Sequence, residues 1–191
     1  MSNKIKNELV VYWGSGFLII LLVELAWFWQ GSFSLIHIVE LLAGFLIGSL
    51  LFDIDHFIYW FVSFPKKPES LIAQTLSREK KHKELFMSLI NTRQKQTSLI
   101  FHHIYFQAVI IIVGGFIFTS SASVITRSLI VFLNLHLVLD QWRDFISHPR
   151  HLQKWLFARL KLRLPLRFLK YYLFLSTLIF LVFLSGLITY R

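Results

Sequence analysis

Residues 33–64 read FSLIHIVELLAGFLIGSLLFDIDHFIYWFVSF, and this stretch decides the fold class. A helix needs roughly 20 mostly apolar residues to cross a bilayer, and residues 33–52 meet that length before an aromatic extension carries the run to about 64. Working outward, the runs 9–30, 98–119 and 168–190 meet the same requirement, and 122–146 does so despite Arg127, Asn134, His136 and Asp140. The turns 30–33 and 119–123 are short and rich in Gly and Ser, so each joins two antiparallel helices. The pattern predicts an all-α polytopic membrane helix bundle of about five transmembrane helices. Residues 1–191 form a single integral membrane domain with spans at about 9–30, 33–64, 98–119, 122–146 and 168–190.

Composition agrees. The apolar fraction is 55% and the mean hydropathy +0.61, while only 16% of residues are charged. Twenty Lys and Arg against ten Asp and Glu give a net charge of +10. In a soluble chain that balance suggests nucleic acid. Here the cations lie in two connections between apolar runs, 65–97 and 147–167, so anionic lipid headgroups explain them and nucleic acid is not expected. Lys66, Lys67, Arg78, Lys80, Lys81, Lys83, Arg93 and Lys95 occupy the first connection; Arg150, Lys154, Arg159, Lys161, Arg163 and Arg167 occupy the second. Lys4 and Lys6 join them on one side, against Arg127 and Arg191 on the other, which predicts a cytoplasmic N-terminus and an external C-terminus. The first span is longer than the apolar core of a signal peptide, and Leu25-Ala26-Trp27-Phe28-Trp29 is too bulky for a cleavage site, so it is expected to be an uncleaved anchor. Over 70–91 a helix across the cytoplasmic surface and a solvated basic loop are both open readings, while 150–163 is expected as an interfacial amphipathic helix ending near Pro165.

Ionisable side chains inside spans are costly and mark function by default. Near the outer face lie Glu24, His37, Glu40 and Arg127, for which an interhelical ion pair of Arg127 with Glu40 or Glu24 is the structural expectation. A denser group gathers at the inner boundary. The second span ends in Phe52-Asp53-Ile54-Asp55-His56, the third opens with Phe101-His102-His103, and the fourth carries His136-Leu-Val-Leu-Asp140 followed by Arg143 and Asp144. At about 1.5 Å rise per residue, three helices deliver Asp and His to one depth. His136 and Asp140 project from one helix face. Asp53 and His56 neighbour each other at i,i+3. Asp55 lies on the face of Gly44 and Gly48, a pair that permits close helix approach. Either Asp55 faces a tightly packed helix, or the helix breaks near Asp53 and both carboxylates turn inward. With no cysteine in the chain, a metal would be held by carboxylate and imidazole, which suits a divalent ion, zinc first, with Mn, Mg or Fe as alternatives. The structural alternative is a polar network that binds nothing.

The order of these motifs resembles the bacterial LexA-regulated, membrane-bound metal-dependent hydrolases. In that family a Pro-Asp-x-Asp-His run ends one span, a His-Arg-Gly-x-Thr-His-Ser run opens the next, and Ser-His-x-x-x-Asp follows. The resemblance covers roughly residues 40–146, with Asp53-Ile54-Asp55-His56 and His136-Leu137-Val138-Leu139-Asp140 matching well. Phe52 stands where the family has Pro, the middle run is His102-His103-Ile104-Tyr105-Phe106-Gln107, and Gln141-Trp142-Arg143-Asp144 replaces Thr-Pro-x-Gly. Either His102 or His103 keeps the family role. The resemblance implies an inner-membrane hydrolase in which Asp53, Asp55, His56, His102 or His103, His136 and Asp140 hold one or two metal ions. Asp144 or Asp55 would serve as base and Arg143 as an oxyanion clamp. Location and charge suggest a phosphoester or lipid-linked substrate at the cytoplasmic interface. A metal or proton transporter, or a structural subunit, is the alternative; a transporter is expected to place its ionisable groups near the midplane.

Overall fold

The computed structural model describes residues 3–120, 123–158, 160 and 165–190, with the side chains of residues 3–9, 90 and 94 left aside. The chain is an all-α helical bundle, with no strand among the described residues. Helix α1 spans Asn3–Trp29, α2 Leu35–Ile58, α3 Pro68–Arg78, α4 His82–Thr92, α5 Ile104–Thr119, α6 Val124–Ser147, α7 Pro149–Leu156 and α8 Leu166–Ile188. Four stretches are long and apolar enough to cross a membrane: Val10–Trp29, Leu35–Ser63, Val124–Ser147 and Leu166–Ile188. Their outward faces carry exposed Leu, Ile, Val and Phe such as Leu21, Ile47, Leu175 and Leu178. In water such a surface would be an aggregation hazard; against lipid it is a match. These helices make the chain a membrane protein by character.

Helix α6 is the centre of the bundle. Of its apolar window 72% is buried, against 22–33% in the other three spans, so it carries Asn134, His136 and Asp140 without presenting them to lipid. Its main partner is α2, which offers two glycines. A Cβ on Gly44 would run into Ser128, and one on Gly48 would lie 3.0 Å from Phe132 Cβ and 3.2 Å from both Leu129 O and Leu133 N. The absent side chains let the two backbones touch. Asp55 continues this face of α2 and is buried.

Three boundaries differ from expectation, each for a local reason. The third apolar run does not start as a helix at 98. Residues 97–103 are non-helical and α5 has 16 residues, about 24 Å, short of a bilayer core of about 30 Å. Non-helical backbone near that depth needs internal partners, and Asp55 provides them, accepting hydrogen bonds from the Ile100 N–H (3.0 Å) and the Phe101 N–H (2.7 Å). The segment 70–91 is neither one surface helix nor a loop but a hairpin of α3 and α4. Lys80 adopts φ 56°, while the Lys80 and Lys81 N–H groups bond back to Ser77 O and Leu76 O, a left-handed C-terminal cap of the kind usually built on Gly. Gly31 (φ 71°) closes α1 in the same way. The helix expected over 150–163 stops at Leu156, and residues 159 and 161–164, with Arg159, Lys161 and Arg163, lie outside the described residues, as does Arg191.

Helix α2 runs on as a π-helical turn, Tyr59–Ser63, against which the hairpin packs through Ala73, Leu85 and Leu89. Tyr59 donates to Glu69 (3.0 Å), and Gln74 donates to Trp60 O (2.9 Å). The hairpin is thereby fixed beside the α2 end that carries the Asp/His motif. At the opposite end of the bundle, Gln30 after α1 donates to Ile188 O at the end of α8 (3.2 Å). The start of α1 and the end of α8 therefore lie at opposite ends.

Candidate metal centre

Asp140 is the hub. It lies one turn after His136 on α6, and both are buried. His136 Nε2 and His102 Nε2 each stand 3.3 Å from the same oxygen, Asp140 Oδ2. Arg143, a turn further on, donates to Asp140 Oδ1 (2.9 Å). Arg93, in the 3-10 turn after α4, forms an ion pair with Asp140 Oδ2. His102, His136 and Asp140 form a buried group able to hold a metal ion, their ligand atoms all within 4.8 Å of one another.

The two imidazoles are oriented from behind. His102 Nδ1 is 3.2 Å from Asp55 Oδ2, and His136 Nδ1 is 2.9 Å from the Tyr12 hydroxyl. Tyr12 in turn bonds to Ser49, whose hydroxyl donates to Phe45 O (2.5 Å). Each ring thus spends Nδ1 on an outer partner and presents Nε2 inward, the arrangement by which proteins fix metal-binding histidines. The spacing fits as well: donors at about 2.0–2.1 Å from a tetrahedral zinc lie about 3.3 Å apart.

The remaining candidates fall in distinct places. Asp53 lines a pocket of about 230 Å³ together with Arg93, His136, Asp140 and Arg143. Asp55 sits behind His102 and is engaged by three N–H groups. His56, buried, pairs through Nδ1 with Gln96 Oε1 (2.7 Å), its ring 5.8 Å from that of His102. His103 caps α5, accepting from the Tyr105 N–H (3.3 Å). Asp144 is held by His151 Nδ1 (2.8 Å) and Trp155 Nε1 (2.7 Å), which ties α7 to α6. The helix does not break at Asp53; α2 stays regular through it. Asp53 and Asp55 thus serve different surroundings.

His102, not His103, joins the cluster. His102→Ala is expected to abolish metal binding, whereas His103→Ala removes a cap worth about 1 kcal/mol and keeps the metal. Metal content and melting temperature of the two purified variants check this.

No family model, curated protein or solved structure matches this chain.

Reading the sequence missed Arg93 and Tyr12. Arg93 is one of eight cations in its connection, and nothing local separates it from those that only set charge. Tyr12 lies 124 residues from His136 in an aromatic-rich first span. At the outer end, the expected ion pair is absent: among the described residues Arg127 pairs with neither Glu24 nor Glu40. Arg127 instead donates to Ser120 O (2.9 Å) and lies over the Tyr190 ring at 4.6 Å. Both Glu24 oxygens are buried without a hydrogen-bond partner. Arg127 is engaged instead by a carbonyl at the end of α5 and by an aromatic face.

Proposed function

We propose that the chain is a metal-dependent hydrolase of the bacterial cytoplasmic membrane, acting on a phosphoester or lipid-linked substrate at the cytoplasmic interface. The observation that carries this reading is the pair of Nε2 atoms, each 3.3 Å from one oxygen of Asp140, with both Nδ1 atoms backed by outer partners. The order of motifs in the LexA-regulated membrane hydrolases supports it, with Asp55, His102, His136 and Asp140 on the matching positions. His102, His136 and Asp140 would hold the ion, zinc first because two imidazoles and one carboxylate with an open position are a common catalytic zinc set. A divalent ion there supplies Lewis acidity and lowers the pKa of water to about 7.

The other residues divide the remaining work. Asp53 faces the same pocket as Asp140, whereas Asp55 and Asp144 are already engaged by N–H donors, so Asp53 is the carboxylate placed to accept the proton of an attacking water. Arg143 and Arg93 direct guanidinium groups toward that space and would hold an anionic group as charge builds on it. Metal loading would move Arg93 off Asp140 Oδ2 and toward the pocket. The basic hairpin α3–α4 and the connection after α6 would contact anionic headgroups on the cytoplasmic side, with the N-terminus there and the C-terminus outside. A conduit across the membrane is disfavoured, because Leu41, Phe45, Val131 and Phe132 are buried to within 1% of full burial between this cluster and the outer one.

Zinc-loaded protein in detergent is expected to hydrolyse aryl phosphomonoesters or diesters or phospholipids, and chelator-treated protein is not. Asp53→Asn is expected to keep its zinc and lose about 10²–10⁴-fold in kcat. Zinc-loaded protein inert toward all of these would overturn the hydrolase reading while leaving the metal centre standing.

A further inference from the structure

The pocket beside the centre has two chemistries. It is lined by the charged or ionisable Asp53, Arg93, His136, Asp140 and Arg143 and by the apolar Trp13, Leu50, Phe86 and Leu89. Leu50 lies one turn before Asp53 within the span and is 55% exposed, while Phe86 on α4 is 46% exposed. Leu50 and Phe86 thus carry the pocket's apolar lining out to the surface of α2 and α4.

We infer that this pocket seats a single-chain lipid phosphomonoester, its phosphate on Arg93 and Arg143 and its chain leaving sideways over Leu50 and Phe86 into the bilayer. The inference rests on the metal reading only for the charge of the phosphate. Among the pocket's lining groups the two arginines cancel the two carboxylates, so a divalent ion leaves the lining two charges positive. A phosphomonoester carries about −1.5 to −2 at pH 7, while a diester carries one charge and a carboxylic ester none. Size selects the rest. A cavity of about 230 Å³ is below the roughly 300 Å³ at which drug-sized sites begin. It takes a headgroup and the first few methylenes of one chain. A water-soluble phosphoester would leave Trp13, Leu50 and Phe86 uncovered.

Dodecylphosphonate, a non-hydrolysable single-chain analogue of a phosphomonoester, tests this by equilibrium binding to the full chain in non-ionic detergent, at a pH alkaline enough to make it a dianion. Methylphosphonate, dodecyl methyl phosphate and dodecanol are the comparisons. At about four-fold per buried methylene, enclosing two gives dodecylphosphonate an advantage of more than tenfold over methylphosphonate. Leu50→Gln and Phe86→Gln are each expected to shrink that ratio, and Arg143→Gln to weaken both phosphonates. Leu46→Gln, also on α2 and 45% exposed but outside the pocket, is expected to change neither. Equal binding of methylphosphonate, of the diester or of dodecanol would overturn the proposal. So would a ratio untouched by both pocket variants. The ratio is also measured after chelation, with zinc content determined on the same samples. A ratio that persists in protein that takes up no zinc overturns the hydrolase reading and leaves the lipid seat intact. Zinc uptake with no tail dependence does the reverse.

Discussion

His136→Ala and Asp140→Ala are each expected to reduce bound zinc from one ion per chain to background, by elemental analysis of detergent-purified protein. Removing an outer partner of a metal ligand already costs about 10–100-fold in affinity; removing a ligand itself costs more. Asp55→Asn and Tyr12→Phe should fall in the 10–100-fold range, because they free Nδ1 of His102 and His136 without deleting a donor. The two ligand variants should differ in stability. Asp140→Ala strands Arg93, whose side chain is 20% exposed, and loss of one partner of a partly buried pair is destabilising, by less than the full penalty of a buried one. His136→Ala leaves that pair intact, so it isolates the metal effect from folding. Acid should act in the same direction as the substitutions. An imidazole must be unprotonated at Nε2 to bind an ion, so affinity is expected to fall as pH drops. Zinc retained in both variants would sink the metal centre altogether.

Gly48→Leu is expected to have the largest structural effect of any single change outside the cluster. The first added carbon alone meets Phe132 Cβ at 3.0 Å and the α6 backbone at 3.2 Å, and backbone cannot rotate aside as a side chain can. Overpacking of this kind costs about 1–3 kcal/mol or more. It also has a functional consequence, because forcing α2 from α6 separates Asp55 and its hold on His102 from His136 and Asp140. The expected result is a lowered melting temperature together with lost zinc. Gly14→Leu and Gly115→Leu, where nothing lies within 4 Å, serve as matched controls and should change neither. A Gly48→Leu protein with wild-type stability would mean that α2 and α6 are not in backbone contact.

The helical bundle was legible because apolar length acts over whole segments and tolerates local error. The centre was legible in part, for reasons that differ by residue. His136 and Asp140 share one regular helix, where spacing i,i+4 fixes a common face, so their pairing could be read directly. His102 and His103 precede α5 in non-helical chain, where no periodicity says which side chain turns inward; only the capping geometry of His103 and the reach of Asp55 separate them. Asp53 and Asp55 show the same limit from the other side. Their two-residue separation on a regular helix implied opposite faces, but not that one face would meet the pocket and the other the backbone at Ile100 and Phe101. Arg93 was invisible because its role depends on a hairpin turn at Lys80, a residue whose left-handed backbone no sequence preference favours. The outer ion pair failed because charge alone was used to pair Arg127, which the Ser120 carbonyl and the Tyr190 ring engage instead.

Asp55 also constrains how the protein is made. It pins the chain just ahead of α5 from 45 residues upstream, Asp140 meets His102 from 38 residues downstream, and Tyr12 waits 124 residues for His136. A nascent chain that has emerged only through α5 therefore holds the latch and one ligand, and no chelate. The His102, His136 and Asp140 cluster can form only once α6 has been made. Any metal acquisition would therefore wait for that helix, and a chain stalled before it would lack two of the three ligands.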